Sequence, residues 1–412
     1  MNSRQLSLLL VVALVLGAVG WFFFHRGARS WESAPISANE KILTFQLNDV
    51  AHIIIKDGSS ELNLVRKPDG WAVGERADFP ANFEQVSRLL QKVWNLKPVQ
   101  ALQVGPSQLA RLDLLEPAKE GQTGTLLDLK DKDDKRITAL LAGKQYLKKS
   151  NQSFAPAGFP AGRYVMPEDG SKRIFLVADA MQDLVTKPER WLDHGFIKIE
   201  KPKTIALAGS TPTQQWKIQR EAESANWKFA DAKPGEEVDQ TKVSGLASSL
   251  SNLSFADVLD PKATPESTGL DKPSSATIET FDGITYSLKI GKLTSEKYPV
   301  TVAITSALAA QRESTPNEKA EDKKKLDDEF ATEKKKLEEK LAKEKKFEAR
   351  PFLINKYSID QLLKNRSDLV KAEPSPTPAA SVGPGQPPLP RPLLSAPPAG
   401  RPPHTPAPPV RP

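Results

Sequence analysis

Hydrophobic and polar positions divide this chain into four regimes. The first is an unbroken apolar run, Leu6 to Phe24, which reads LSLLLVVALVLGAVGWFFF with no charge inside it. As a helix rising about 1.5 Å per residue it covers roughly 28 Å, close to the hydrocarbon thickness of a bilayer. The run closes on Trp21, Phe22, Phe23 and Phe24, followed by His25, Arg26 and Arg29. Bulky rings and then cations suit a membrane–water boundary, whereas a cleaved signal peptide has a shorter core and ends in small residues. The pattern predicts an uncleaved anchor over residues 6–24, contacting membrane lipid, with residues 1–5 as a cytoplasmic stub and 25–42 as a juxtamembrane linker. Arg4 and the terminal amine nearly balance Arg26 and Arg29, so charge alone does not orient it.

The second regime is a pattern that recurs at a displacement of about 157 residues. The first copy opens VAHIIIKDGSSELNLVRKPDGWAV (50–73), with β-branched residues, an Asp-Gly turn, a resumed strand and then Trp71. The second opens PKTIALAGSTPTQQWKIQREAESANWKFA and places Trp227 at the matching position. A helix-period stripe follows each. Phe83, Val86, Leu89, Leu90, Val93 and Leu96 form the first, and Val243, Leu246, Leu250 and Leu253 the second, with Asn82 and Asp239 as N-caps. Each copy continues with a Leu-x-x-Pro phrase ending at Pro117 or Pro273. A strand–turn–strand then closes on Gly143-Lys144 or Gly291-Lys292, before a tyrosine strand at Tyr164 or Tyr298. The last unit, Ile174 to Leu192 in one copy and Phe352 to Leu369 in the other, reads as a strand and a short helix. The predicted fold class is therefore α+β: two tandem repeats of mostly antiparallel sheet with packed helices, preceded by one transmembrane helix. The repeats are bounded at 43–200 and at 201–310 with 351–371.

The third regime, 311–350, splits the second copy. KKKLDDEFATE (323–333) is followed by KKKLEEKLAKE (334–344), so Leu326 and Leu337 are eleven apart, as are Phe330 and Leu341. An eleven-residue period holds a narrow apolar stripe on one side of a straight, coiled-coil-like helix, and opposite charges four apart support it. The stripe suits either a solvated spacer or a docking helix that buries Leu326, Phe330, Leu337 and Leu341 on a partner. The fourth regime, 372–412, is Pro, Ala, Gly and Ser with scattered Arg. It cannot bury enough apolar area to offset ordering entropy and is expected to be disordered.

Charge narrows the partners. The net charge of +7 is modest for a chain that is 26% charged, and Lys and Arg are spread among Asp and Glu. A nucleic-acid surface needs a clustered basic face, so no nucleic-acid partner is expected. The absence of cysteine excludes thiol catalysis and disulfides. Four histidines, His25, His52, His194 and His404, are too scattered for a zinc site. The Gly-Lys pairs lack the upstream Gly and the following Ser or Thr of a phosphate loop, and are expected to end strands in turns. Asp131, Asp133 and Asp134 lack the Gly and Glu of a calcium loop and read as a hairpin turn. Asp193, Glu200, Glu116 and Asp271 are the candidates for a carboxylate pair. What the copies share is Trp, Leu, Val, Pro, Gly and Tyr, which pack and turn, so no catalytic residue, cofactor or metal is expected.

Asp69-Gly70-Trp71, Leu89 to Leu96, Leu114 to Pro117 and Gly143-Lys144, echoed by Trp227, Leu270 to Pro273 and Gly291-Lys292, resemble the domain of unknown function 4340 family over about 43–369, less the charged insertion, which with the proline-rich tail departs from the pattern. Members are bacterial membrane-anchored proteins without an established reaction, often encoded near ABC-type transporters. The resemblance implies a non-enzymatic accessory role at the inner membrane, with the bulk of the chain periplasmic and an ABC-type permease or other envelope protein as partner. The alternatives are a glycan- or peptidoglycan-binding module using Trp191, Tyr164 or Tyr298, and an enzyme with a site between the repeats.

Overall fold

A computed structural model of the chain describes residues 32–34, 41–117, 124–148, 158–260, 262–312 and 319–371, with positions 15 and 17. The anchor expected at 6–24, apart from those two positions, and the tail at 372–412 lie outside the described residues. Among the described residues no helix is long and apolar enough to cross a membrane. The fold is α+β, built on two antiparallel sheets.

The first sheet contains β1 (Glu32–Ala34), β2 (His52–Lys56), β3 (Glu61–Lys67), β4 (Gly70–Val73), β5 (Phe79–Pro80), β6 (Pro98–Gln103), β7 (Thr125–Lys130), β8 (Arg136–Lys148), β9 (Phe159–Pro167) and β10 (Ile174–Val177). The second contains β11 (Pro202–Ala208), β12 (Gln215–Gln219), β13 (Lys228–Phe229), β14 (Asp257–Val258), β15 (Ser274–Thr280), β16 (Ile284–Ile290), β17 (Lys297–Ser306) and β18 (Phe352–Asn355). Their spatial orders are β1-β6-β10-β9-β8-β7-β2-β3-β4-β5 and β13-β12-β11-β15-β16-β17-β18-β14. Read from β6 to β4 and from β14 to β13, the two orders place corresponding strands in the same succession. Alternation sets the inner face, as in β2, where Ile53 and Ile55 are fully buried while His52 and Ile54 are half-buried and Lys56 is exposed.

Helix α1 (Phe83–Trp94) buries Val86, Leu89, Leu90 and Val93, and helix α2 (Gln240–Ser251) buries Val243, Leu246 and Leu250. Asn82 accepts from the Gln85 amide, and Asp239 from the Thr241 and Lys242 amides, which satisfies donors that a helix start leaves free. Phe83 departs from the expected stripe. It is the first residue of α1 and is 65% exposed, because the turn it would cover has not yet formed. Trp227 is buried but precedes β13 instead of lying in it. Glu32–Ala34, inside the expected linker, pairs with β6 at the sheet edge.

The helix expected after Ile174–Val177 does not form. Asp179 caps the Met181 amide, Met181 takes a positive φ of 47°, and Pro188 starts a single 3₁₀ turn. The Met181 carbonyl is instead held by Arg163. The matching segment of the second copy does give a short helix, Lys356–Asp360.

The Gly-Lys positions also differ from expectation. Gly143 lies inside β8, and Gly291 directly follows the last residue of β16. What each needs is closeness to a crossing backbone. A Cβ on Gly143 would stand 2.2 Å from the Leu112 carbonyl oxygen, and one on Gly291 would stand 2.3 Å from that of Thr268. The crossing segments are those that lead into the two Leu-x-x-Pro phrases. Gly143→Ala and Gly291→Ala are each expected to cost about 2 kcal/mol or more through overpacking against main chain, measurable as a fall in the urea midpoint. A neutral substitution at either position would show that the crossing can yield.

The end of the described fold is fastened by Arg366. Its guanidinium forks onto Glu236 through Nε and Nη2, both at 2.8 Å, and onto Asp231 through Nη1 at 2.8 and 2.9 Å, over the Phe229 ring. The Arg366 bonds hold the Glu236 carboxyl down at about 2, against an ordinary 4.5, with partial burial opposing them. A carboxyl depressed in the folded state stabilises above its unfolded value and loses that contribution as it protonates. Stability is therefore expected to fall between about pH 4.5 and 2, and Arg366→Ala to flatten that slope, followed by denaturant titration across this range.

Candidate functional site

A cleft of about 890 Å³ lies where the link 193–200 and the base of the inserted helix meet the first sheet's edge. Helix α3 (Ala320–Glu344) runs 25 residues and passes into a 3₁₀ turn, Lys345–Ala349, before β18. It starts with Glu321 and Asp322 in its first turn and has Lys343 in its last, in keeping with the helix dipole.

Beneath the cleft is a phenylalanine seam. Phe352 is fully buried, with ring centroids of Phe196 and Phe255 at 4.9 Å, Phe347 at 5.7 Å and Phe79 at 5.9 Å. Most of these contacts are edge-on, the arrangement that ring quadrupoles favour. The five rings come from β5, the 193–200 link, the turn before β14, the 3₁₀ turn and β18, so they join the two sheets' elements. Around them Arg76 forks onto Asp257 at 2.7 and 2.8 Å, and Arg350 donates to the Arg76 carbonyl at 2.8 Å. The His194 ring nitrogens face the carbonyls of Phe255 and Glu189 at 3.1 and 3.0 Å.

The base of α3 is rooted by a buried carboxylate. Glu344 is 5% exposed, accepts the Tyr286 hydroxyl at 2.7 Å and the Lys198 amide at 2.8 Å. Burial and that anionic partner raise the Tyr286 pKa far above its ordinary value, so the phenol stays a donor. Glu348 accepts the Ile304 amide at 2.6 Å, and Lys340 donates to Glu200 at 2.9 Å. That bond lowers the Glu200 pKa.

The four residues of the expected docking stripe separate here. Leu337 and Leu341 pack, partly buried, against the chain's own core. Leu326 is 37% exposed and Phe330 is half-buried. Leu337 and Leu341 are thus spent on the chain's own fold, against the expectation that all four would be left for a partner, and Leu326 and Phe330 remain of the stripe. The sequence carried no mark of this, since all four apolar positions obey one period.

Of the candidate carboxylates, Asp193 and Glu200 both line the cleft, while Glu116 neighbours Glu168, whose pKa burial and Glu116 together raise. Asp193 is turned onto the Gly195 amide and Glu200 is held by Lys340. Asp131 caps the β7–β8 turn through the Asp133 and Lys135 amides. Trp191 is 3% exposed with its indole donating to Val185, and the Tyr298 hydroxyl is bonded to Asp360. Burial first, then that bond, pushes the Tyr298 pKa up to about 12. Among the described residues no three His, Asp or Glu side chains converge as metal ligands. His25 and His404 lie outside the described residues.

The features that sequence reasoning missed are Glu344 and the phenylalanine seam. A glutamate among the many of a charged helix gives no signal, and the five rings come from four separated stretches.

No curated protein and no solved structure matches the chain. Residues 71–273, from Trp71 in β4 to the Pro273 that precedes β15, match the family described as a domain of unknown function, DUF4340, and this stretch of the chain belongs to that family.

Proposed function

We propose that the chain is a membrane-anchored, extracytoplasmic, non-enzymatic accessory protein whose body is a tandem duplication and whose long helix is an arm for a protein partner. The apolar run at 6–24 supports the tether, and the family resemblance supports an ABC-type transport or envelope machine as its setting. The shared strand order of the two sheets supports duplication. The observation that carries the reading is the division of α3. Its C-terminal end is rooted by Glu344, Leu337 and Leu341, while its N-terminal half leaves Leu326 exposed among Lys, Asp and Glu. A helix rooted at its C-terminal end, and tied nearer its start by the exposed Arg312–Asp327 and Lys334–Ala310 contacts, is rigid enough to present a contact and open enough to receive one.

Deleting 311–350 would also remove Glu344 and Phe347 from the fold, so point substitutions are the sharper test. Leu326→Asp with Phe330→Asp is expected to lose partners recovered by in-cell crosslinking and membrane pull-down, while the melting temperature stays within a degree or two. An unchanged partner set would remove the docking role. Extraction of the intact chain by alkaline carbonate, with no detergent, would remove the tether.

A further inference from the structure

The cleft at the base of α3 has a composition that an accessory scaffold does not call for. Phe196 and Phe347 contribute its apolar side, with Phe79 and Pro80 beyond them. Above this surface stand Lys198, Lys343 and Lys346, all exposed, and the side-chain ammonium of each lacks an ion pair among the described residues. The neighbouring lysines differ, since Lys340 is held by Glu200 and Lys336 by Glu333. Carboxylates line the cleft as well, but Glu344 is fully used by Tyr286 and Lys198, and Asp193 is turned onto a main-chain amide. Asp69 and Glu339 are left to face these three ammonium groups and Arg350, and Glu200, held by Lys340, also interacts with Lys198. The volume, about 890 Å³, lies within the usual span of small-molecule sites, about 300–1,000 Å³. Lysine stems extend the apolar wall while their charged heads stay at the water boundary.

We propose that this cleft binds a single-chain lipid anion, with the acyl chain along Phe196 and Phe347 and the headgroup among Lys198, Lys343 and Lys346. A wholly polar anion would leave the phenylalanine side uncovered, and an uncharged chain would leave the ammonium groups without a counter-charge. The site stands apart from the arm at Leu326 and Phe330 and does not rest on a protein partner binding there. Because Lys198 and α3 are also joined through Glu344, occupancy braces the arm's root.

The test is photolabelling of the full-length chain in nanodiscs of zwitterionic phosphatidylcholine with a diazirine-bearing hexadecanoate, mapped by peptide mass spectrometry. Label is expected to concentrate in 193–200 and 343–350. A diazirine-bearing hexadecanol is expected to label these segments at background. Competition by unlabelled hexadecanoate against lysophosphatidate separates a carboxylate source from a phosphate source. The combined Lys198→Ala, Lys343→Ala and Lys346→Ala variant is expected to lose labelling at least tenfold, and the corresponding arginine variant to keep it. All three side chains are exposed, so an unchanged melting temperature accompanies that loss. Label spread over other apolar surface, equal labelling by the alcohol, or full labelling of the alanine variant would each overturn the proposal.

Discussion

Phe352→Ala is expected to lower the unfolding free energy by about 3–5 kcal/mol. The ring is fully buried and lies between four others drawn from both sheets' elements. Removing it deletes its own transfer energy and opens a cavity that a seam of rigid rings closes poorly. Phe83→Ala supplies the contrast, because that ring is 65% exposed and its loss is expected to shift stability by no more than about 0.5 kcal/mol. Urea unfolding followed by tryptophan fluorescence reads both. Equal midpoints for the two variants would mean that the seam is not a joint.

Glu344→Ala is expected to cost about 3 kcal/mol and to act locally. Two bonds to a carboxylate are lost, each worth about 1.5–3 kcal/mol, and the buried Tyr286 hydroxyl and the Lys198 amide are left without an acceptor. Partial relaxation and entry of water return some of this. Hydrogen exchange is expected to speed up in 337–349 while β2, β7 and β8 stay protected. Glu344→Gln keeps the shape and one acceptor, and is expected to lie between the alanine variant and the native chain. If α3 exchanged no faster in the alanine variant, its root would have to lie elsewhere, in Leu337, Leu341 and Glu348.

Much of this architecture is written locally in the chain. The β-branched run at Ile53–Ile55, the Asp57-Gly58 turn and the stripes of α1 and α2 specify elements by short-range periodicity, and the structure places them there. The recurring Gly-Lys was visible as a pair, but its purpose was not. Only the crossing of Leu112 or Thr268 over the glycine shows that the missing Cβ matters more than a turn. The 179–191 segment misled because its spacing resembles a helix, whereas long-range ties to Lys92 and Arg163 hold it irregular. The cleft was illegible for the same reason. Its walls come from residues near 69–80, 193–200 and 336–350, and nothing short-range links Lys198 to Lys343.

The placement of α3 between β17 and β18 has a consequence for how such chains can vary. Both ends of the excursion return to one antiparallel pair, Tyr298 opposite Ile354 and Val300 opposite Phe352, so the sheet registers nothing of the excursion's length. Duplicating one KKKLDDEFATE unit would push the tip outward by about 16 Å and rotate its apolar side by only about 20°. The body would stay as it is while the gauge of the outrigger changed in whole eleven-residue increments.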